Sequence, residues 1–281
     1  MTRSIPHLVT VTELLALMRE PDVRIVDVRW RLGEPAAGRT FYAGGHIPGA
    51  LYADIDRDLA APAGERGRHP LPSAEAFTAL MARFDIGDDT RVIAYDDQGG
   101  ATAARLWFLL RYFGHETGAV LDGGIAAFIA AGHTLATAPP SSARTELVFH
   151  AKPNPALVVD RKAVVASVQS GGLLLDARAP ERFRGEIEPI DARAGHIPSA
   201  VSAPFAANLA GGRFLSPDAL RERYDALGAC DRETTAYCGS GVTACHDLLA
   251  LAIAGVETAK LYPGSWSEWS RDPDAPIALG D

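Results

Sequence analysis

The order of motifs in the first half of the chain recurs in the second, and this duplication limits the fold more than any other feature. "RIVDVRW" (24–30) is matched by "LLLDARA" (173–179), and "AGGHIPGALYAD" (43–54) by "ARAGHIPSAVSAP" (192–204). "VIAYDDQGGATAARLWFLLRYFG" (92–114) is matched by "TTAYCGSGVTACHDLLALAIAG" (234–255), and "AVLDGGIAAF" by "AKLYPGSWSEW". A chain that repeats itself once, in the same order, folds as two homologous domains. Its 281 residues, 47% of them apolar, give each domain enough chain and enough apolar side chains for its own core. The expected division is 1–135, a linker over 136–156, and 157–281. The linker begins rich in Pro, Ser and Ala and turns extended around "ELVFH".

Within each half, short β-rich runs alternate with helical patterns. "RIVDV", "VIAY" and "AVLD" serve the first half, and "LLLDA", "TTAY" and "AKLY" the second. Between them lie amphipathic stretches such as "SAEAFTALMARF" and "ACHDLLALAIAG". Short buried strands alternating with helices indicate an α/β fold with mainly parallel sheets covered by helices on both faces.

Cys238 stands at the end of "TTAY", before "GSGV" and the helix that follows. In parallel α/β sheets the carboxyl ends of the strands are where ligands bind. Gly239 and Gly241 let the loop curl, so that backbone N–H groups and the helix N-terminus face the sulfur and favour its anionic, nucleophilic form. A buried structural cysteine before a glycine turn is the alternative. The formal net charge is −8 and no basic block stands out, which argues against nucleic acid as a partner. Three cysteines without a CxxC pair offer neither a disulfide framework nor a zinc site. The apolar runs are too short to span a membrane, and a reducing cytoplasm is the expected compartment.

Together "CGSGVTA", "GHIPGA"/"GHIPSA", "YPGSWSEW" and the duplication resemble the tandem-domain rhodanese superfamily of sulfurtransferases, over nearly the whole chain. The resemblance implies two rhodanese-like domains with one active site. Asp96 occupies the cysteine's place in the first half and cannot carry sulfur. It further implies that Cys238 takes a sulfane sulfur as a persulfide, from 3-mercaptopyruvate or thiosulfate. The sulfur then passes to cyanide, a thiol or a thioredoxin-like protein, with no metal or organic cofactor. The N–H groups of Gly239, Ser240, Gly241, Val242 and Thr243 would ring the persulfide.

The same resemblance bears on the donor. Thiosulfate-preferring relatives commonly carry basic side chains just after the cysteine, whereas Gly239 and Ser240 are neutral and look like the mercaptopyruvate type. In that branch Asp56, His69 and Ser240 would form a proton relay. Read by themselves, Asp56 could be a turn cap and His69 a surface residue. Arg182 would bind the substrate carboxylate. A second arginine usual in that branch is replaced by Ile190, which leaves thiosulfate or a dual preference open, and Arg193 is the candidate substitute.

Arg178 repeats Arg29 of the thiol-free half, and both halves keep "GHIP", so Arg178, His46 and His196 read as scaffold. Trp266 and Trp269 either wall the pocket or fill the core, and Cys230 and Cys245 read as bystanders. A cysteine phosphatase would need an arginine where Ala244 stands. A persulfide carrier or regulatory binding protein would also need Cys238, and turnover separates it from an enzyme.

Overall fold

A computed structural model describes residues 5–140 and 147–281. Positions 141–146 of the expected linker lie outside the described residues. The chain divides into two compact units, Met1–Ala61 with Leu71–Asn154, and Pro62–Pro70 with Pro155–Asp281. Two segments depart from the expected division. Pro62–Pro70, counted with the first repeat, belongs to the second unit. The stretch up to Asn154, expected as a surface linker, belongs to the first. An apolar side chain accounts for the latter, because Phe149 is buried with its ring edge-on to Phe77 at 5.7 Å.

The first unit holds a five-stranded parallel sheet. Its strands are β1 (Leu8–Val9), β2 (Val23–Asp27), β3 (Leu51–Tyr52), β4 (Arg91–Tyr95) and β5 (Gly118–Leu121), in the order β1-β5-β4-β2-β3. Helices α1 (Val11–Leu17), α2 (Ala37–Gly44), α3 (Ala74–Arg83) and α4 (Ala103–Tyr112) connect them, and α5 (Gly124–Ala130) follows β5. Every residue of β4 is buried, as expected of a central strand covered on both faces. The "SAEAFTALMARF" pattern forms α3, which starts where Ser73 Oγ accepts the Ala76 N–H at 3.1 Å.

The second unit repeats the plan with β6 (Leu173–Asp176), β7 (Ala200–Ser202), β10 (Thr234–Tyr237) and β11 (Lys260–Leu261), ordered β11-β10-β6-β7 and parallel. Val158 makes a parallel bridge to Leu261, the counterpart of β1 beside β5. The small antiparallel pair β8 (Leu209–Ala210) and β9 (Arg213–Phe214) lies between β7 and β10 in sequence. The helices are α6 (Arg161–Gln169), α7 (Pro180–Phe183), α8 (Pro217–Ala226), α9 (Ala244–Ile253) and α10 (Ser265–Trp269).

The register is duplicated too. Asp27 pairs with Tyr95 and Asp176 with Tyr237 at equivalent points of the two sheets. Beside each aspartate sits its arginine. Arg29 Nη2 lies 2.6 Å from Asp27 and donates to Gly45 O at 2.7 Å, and Arg178 Nη2 makes the same bonds to Asp176 and Gly195 O at the same lengths. Removing one partner of such a buried pair typically costs about 3–5 kcal/mol. Both "GHIP" histidines donate from Nδ1 to a helix carbonyl at 2.8 Å and stack on an aromatic ring, His46 on Tyr42 and His196 on Phe183. These four residues are scaffold, as their repetition implies.

Candidate active site

Strand β10 is buried throughout and ends at Tyr237, so the next residue, Cys238, emerges at the carboxyl edge of the second sheet. The loop from Gly239 to Thr243 then leads into α9. Gly241 adopts φ +77°, and a Cβ there would meet Pro263 O at 2.7 Å, so only glycine lets the loop turn this tightly. That turn aims the Gly241 N–H at Cys238 Sγ, at 3.1 Å. Val242, within the loop, is buried, and Thr243 is the residue just before α9.

The "YPGSWSEW" segment fixes the loop from its other side. Ser265, at φ +53°, accepts the Cys238 N–H at 3.2 Å and donates to Tyr262 O at 2.9 Å. A left-handed non-glycine residue costs roughly 1–3 kcal/mol and persists where its surroundings over-determine it, as these two bonds do. The N–H groups of Trp266 and Ser267 hold the carbonyls of Cys238 and Gly239 at 2.9 and 2.8 Å. Trp266 and Trp269 belong to the core, with their indole N–H groups on the carbonyls of Arg193 and Pro276.

His69 and Ser240 come together. His69 is 3% exposed, and its Nδ1 lies 2.7 Å from Ser240 Oγ. Both belong to the second unit, because Pro62–Pro70 is part of it. Asp56 belongs to the first unit, where its carboxylate accepts from Trp30 Nε1 at 2.8 Å.

Of the two candidate substrate arginines, Arg182 stands beside the loop. A Cβ on Gly239 would lie 3.5 Å from its Nη1. Its Nη2 is held by Glu188 at 2.7 Å and Asp191 at 3.2 Å. Burial raises the Glu188 carboxyl, but the bonds from Arg182 and from the Asp191 and Ile190 N–H groups outweigh it and keep the group below the usual carboxylate range. Arg193 is placed differently from the expectation. Its guanidinium donates to the carbonyls of Ser270, Asp272, Pro273 and Ala275, which ties down the C-terminal turn and spends the fork on backbone. Sequence reasoning missed Arg68, whose Nη2 comes within 3.3 Å of the same point over Gly239. Its only signal was a position next to His69 in a glycine-punctuated segment. Cys245 is buried and donates to Gly241 O at 3.2 Å, and Cys230 is a free thiol.

The twin loop of the first unit shows what this architecture holds. Asp96 takes the cysteine's position, and its carboxylate accepts from the backbone N–H groups of Gln98, Gly100, Thr102 and Ala103 at 2.8–2.9 Å. The same strand-loop-helix turn therefore wraps an anion in its N–H groups. Fold and loop define a duplicated α/β protein in which the first copy cradles its own carboxylate and the second presents a thiol.

Comparison with known proteins agrees. The family model described as Rhodanese-like domain matches residues 10–131 and 160–272. A Pseudomonas aeruginosa protein named "Probable 3-mercaptopyruvate sulfurtransferase" is 46% identical over 98% of this chain and 99% of its own. A Mycobacterium tuberculosis protein named "Putative thiosulfate sulfurtransferase SseB" is 41% identical over 97% of both chains. The crystal structure of the Escherichia coli 3-mercaptopyruvate sulfotransferase SseA superposes with a TM-score of 0.81 at 32% identity, covering 94% of this chain and all of that one. The chain belongs to the rhodanese family and consists of two rhodanese-like domains. Among the described residues, no helix is long and apolar enough to cross a membrane.

Proposed function

We propose that this protein is a sulfurtransferase that carries a sulfane sulfur on Cys238 and takes it chiefly from 3-mercaptopyruvate. The observation that carries the reading is the pair of loops. The Asp96 carboxylate, surrounded by four N–H groups, occupies the place that an anionic persulfide would fill on Cys238. The Gly241 N–H already points at the sulfur.

In the first half-reaction the Cys238 thiolate attacks the donor's outer sulfur and a new S–S bond forms. With thiosulfate the old S–S bond breaks and its electron pair leaves with sulfite. With 3-mercaptopyruvate the C–S bond breaks, and its pair leaves on carbon as the enolate of pyruvate. The donor's thiol proton must then reach that carbon. His69 and Ser240, 2.7 Å apart and both buried, would move it, and their contact supports that reading. In the second half-reaction a thiophilic acceptor such as cyanide, a thiol or a thioredoxin-like protein takes the outer sulfur, and the thiolate returns. A free thiol nucleophile fits a reducing compartment, which favours the cytoplasm.

Treating the protein with either donor should add one sulfur atom to its intact mass, and cyanide should remove it as thiocyanate. No adduct, or an undiminished adduct in Cys238→Ser, overturns the reading. The ratio of kcat/KM for the two donors decides the donor, and a ratio favouring thiosulfate overturns the preference for mercaptopyruvate.

A further inference from the structure

We infer that Arg68 is a donor-binding residue, and that with Arg182 it forms a two-arginine clamp for the donor's anionic head; this rests on the sulfurtransferase reading above. Arg68 and His69 are consecutive and address consecutive residues of the sulfur loop. Arg68 Nη2 comes within 3.3 Å of where a Gly239 Cβ would stand, and His69 reaches Ser240. Arg182 Nη1 approaches the same point at 3.5 Å. Two guanidinium groups thus converge on one spot beside Cys238, at the residue whose lack of a side chain leaves that spot open.

Both forks are held from behind. Asp191, 4% exposed at its side chain, accepts from Arg68 Nη1 at 2.7 Å and from Arg182 Nη2 at 3.2 Å. Glu188 holds Arg182 through Nε at 3.2 Å and Nη2 at 2.7 Å. Arg182 Nη1 makes no hydrogen bond among the described residues. Among the described residues the Arg68 guanidinium bonds only Asp191, and its buried Nε has no partner. Donor capacity is therefore left over on both groups, and on Arg182 it sits on the atom nearest Gly239.

The approach of Arg68 is built into the backbone. Gly67, at φ +100°, lies so close to α10 that a Cβ would meet Gly264 O at 2.7 Å, and the Arg68 N–H donates to Ser267 Oγ at 3.0 Å. Ser267 is the residue that also holds the Gly239 carbonyl, so one serine sets the height of both the arginine and the loop.

Two forked guanidiniums suit a planar carboxylate or a tetrahedral sulfur oxyanion. Asp191 and Glu188 balance their two positive charges. A monoanionic carboxylate then fits the clamp with less uncompensated charge than dianionic thiosulfate. The second arginine that Ile190 lacks is thus supplied from Pro62–Pro70.

The test compares Arg68→Met and Arg68→Lys with the parent protein, using both donors and cyanide. Arg68→Met should lower kcat/KM for mercaptopyruvate by about tenfold to a hundredfold, the scale of a lost charge-assisted hydrogen bond. Arg68→Lys should recover part of that, because it keeps the charge but not the fork. Discharge of a preloaded persulfide by cyanide should slow by a clearly smaller factor than loading, since no donor head is bound in that step. A drop in thermal stability with donor kcat/KM within twofold, or equal slowing of both half-reactions, would overturn the inference. Pyruvate binding to Cys238→Ser, followed by calorimetry with and without Arg68→Met, needs no sulfur chemistry. Weaker binding with Arg68→Met supports the clamp even if no persulfide forms, and unchanged binding overturns it even if one does.

Discussion

Asp247 offers a stringent test, because its burial turns directly into a dependence of stability on pH. It lies in the first turn of α9, the helix that follows the sulfur loop, and is wholly buried. Oδ1 accepts from Asn208 Nδ2 at 2.8 Å and from Tyr224 Oη at 3.2 Å, while Oδ2 has no partner among the described residues. Burial pushes this carboxyl from its ordinary 3.8 up to about 7; the bonds from Asn208 and Tyr224 and the Arg223 charge restrain the rise, and Asp176 adds to it. A carboxyl raised by folding holds its proton more tightly in the folded chain. Its contribution to stability is complete below about pH 4 and is lost as pH climbs toward 7, at about 1.4 kcal/mol per pH unit. Between pH 5 and 8 the loss integrates to about 2.5 kcal/mol. Asp247→Asn removes the titration and keeps a neutral group of the same shape. Urea unfolding of both proteins across this range isolates the effect, because every other titrating group cancels in the difference. The comparison uses the transition that the substitution moves, since two units need not unfold together. The parent should lose about 2.5 kcal/mol relative to the variant from pH 5 to 8, then level off. A difference constant to within about 0.5 kcal/mol would mean that folding does not raise the Asp247 carboxyl.

Gly241→Ala forces a side chain into a left-handed turn at φ +77°, 2.7 Å from Pro263 O. The conformation alone costs roughly 1–2 kcal/mol, so thermal unfolding should shift down, and stopped-flow persulfide formation should slow as the Gly241 N–H leaves the sulfur. His69→Ala and Ser240→Ala should each lower mercaptopyruvate turnover by about a hundredfold. Thiosulfate turnover should change only a few-fold, because sulfite needs no proton on carbon to depart; equal losses with both donors would exclude the relay.

The parts of this molecule that were legible in its sequence are those the duplication wrote twice or that chain neighbours determine. The strands around Asp27 and Asp176, the paired arginines and the "GHIP" histidines recur at matching points, and repetition in a half without a thiol marked them as scaffold. The turn at Gly241 was legible because strand, thiol, glycine and helix follow one another directly. Arg193 looked like an anion ligand because an arginine beside a substrate loop reads the same whether it meets a carboxylate or four carbonyls. Those carbonyls, at Ser270 to Ala275, are about 80 positions away in the chain. Arg68 was hidden for the same reason, since its partner Asp191 lies 123 residues further on. The Asn208–Tyr224–Asp247 network joins three elements whose spacing follows no helical or strand period, so only packing reveals it.

The two loops also bear on why the thiol-free copy keeps its cradle. An N–H ring that faces inward without an acceptor would leave several buried donors unsatisfied, each costing about 1–3 kcal/mol. The first unit meets that demand with Asp96, whose two carboxylate oxygens take four backbone N–H groups and the Thr102 hydroxyl. A carboxylate of this kind fills the turn and, unlike a thiol, cannot itself carry sulfur. The second unit places a thiol at the same point, which reaches less far and takes the Gly241 N–H. Adding a second sulfur would lengthen that side chain and move negative charge outward, toward the depth at which the Asp96 oxygens sit. On this argument the loop is matched to the persulfide more closely than to the resting thiol, and the proposed donor clamp of Arg68 and Arg182 would bring the incoming sulfur to the place where the charge comes to rest.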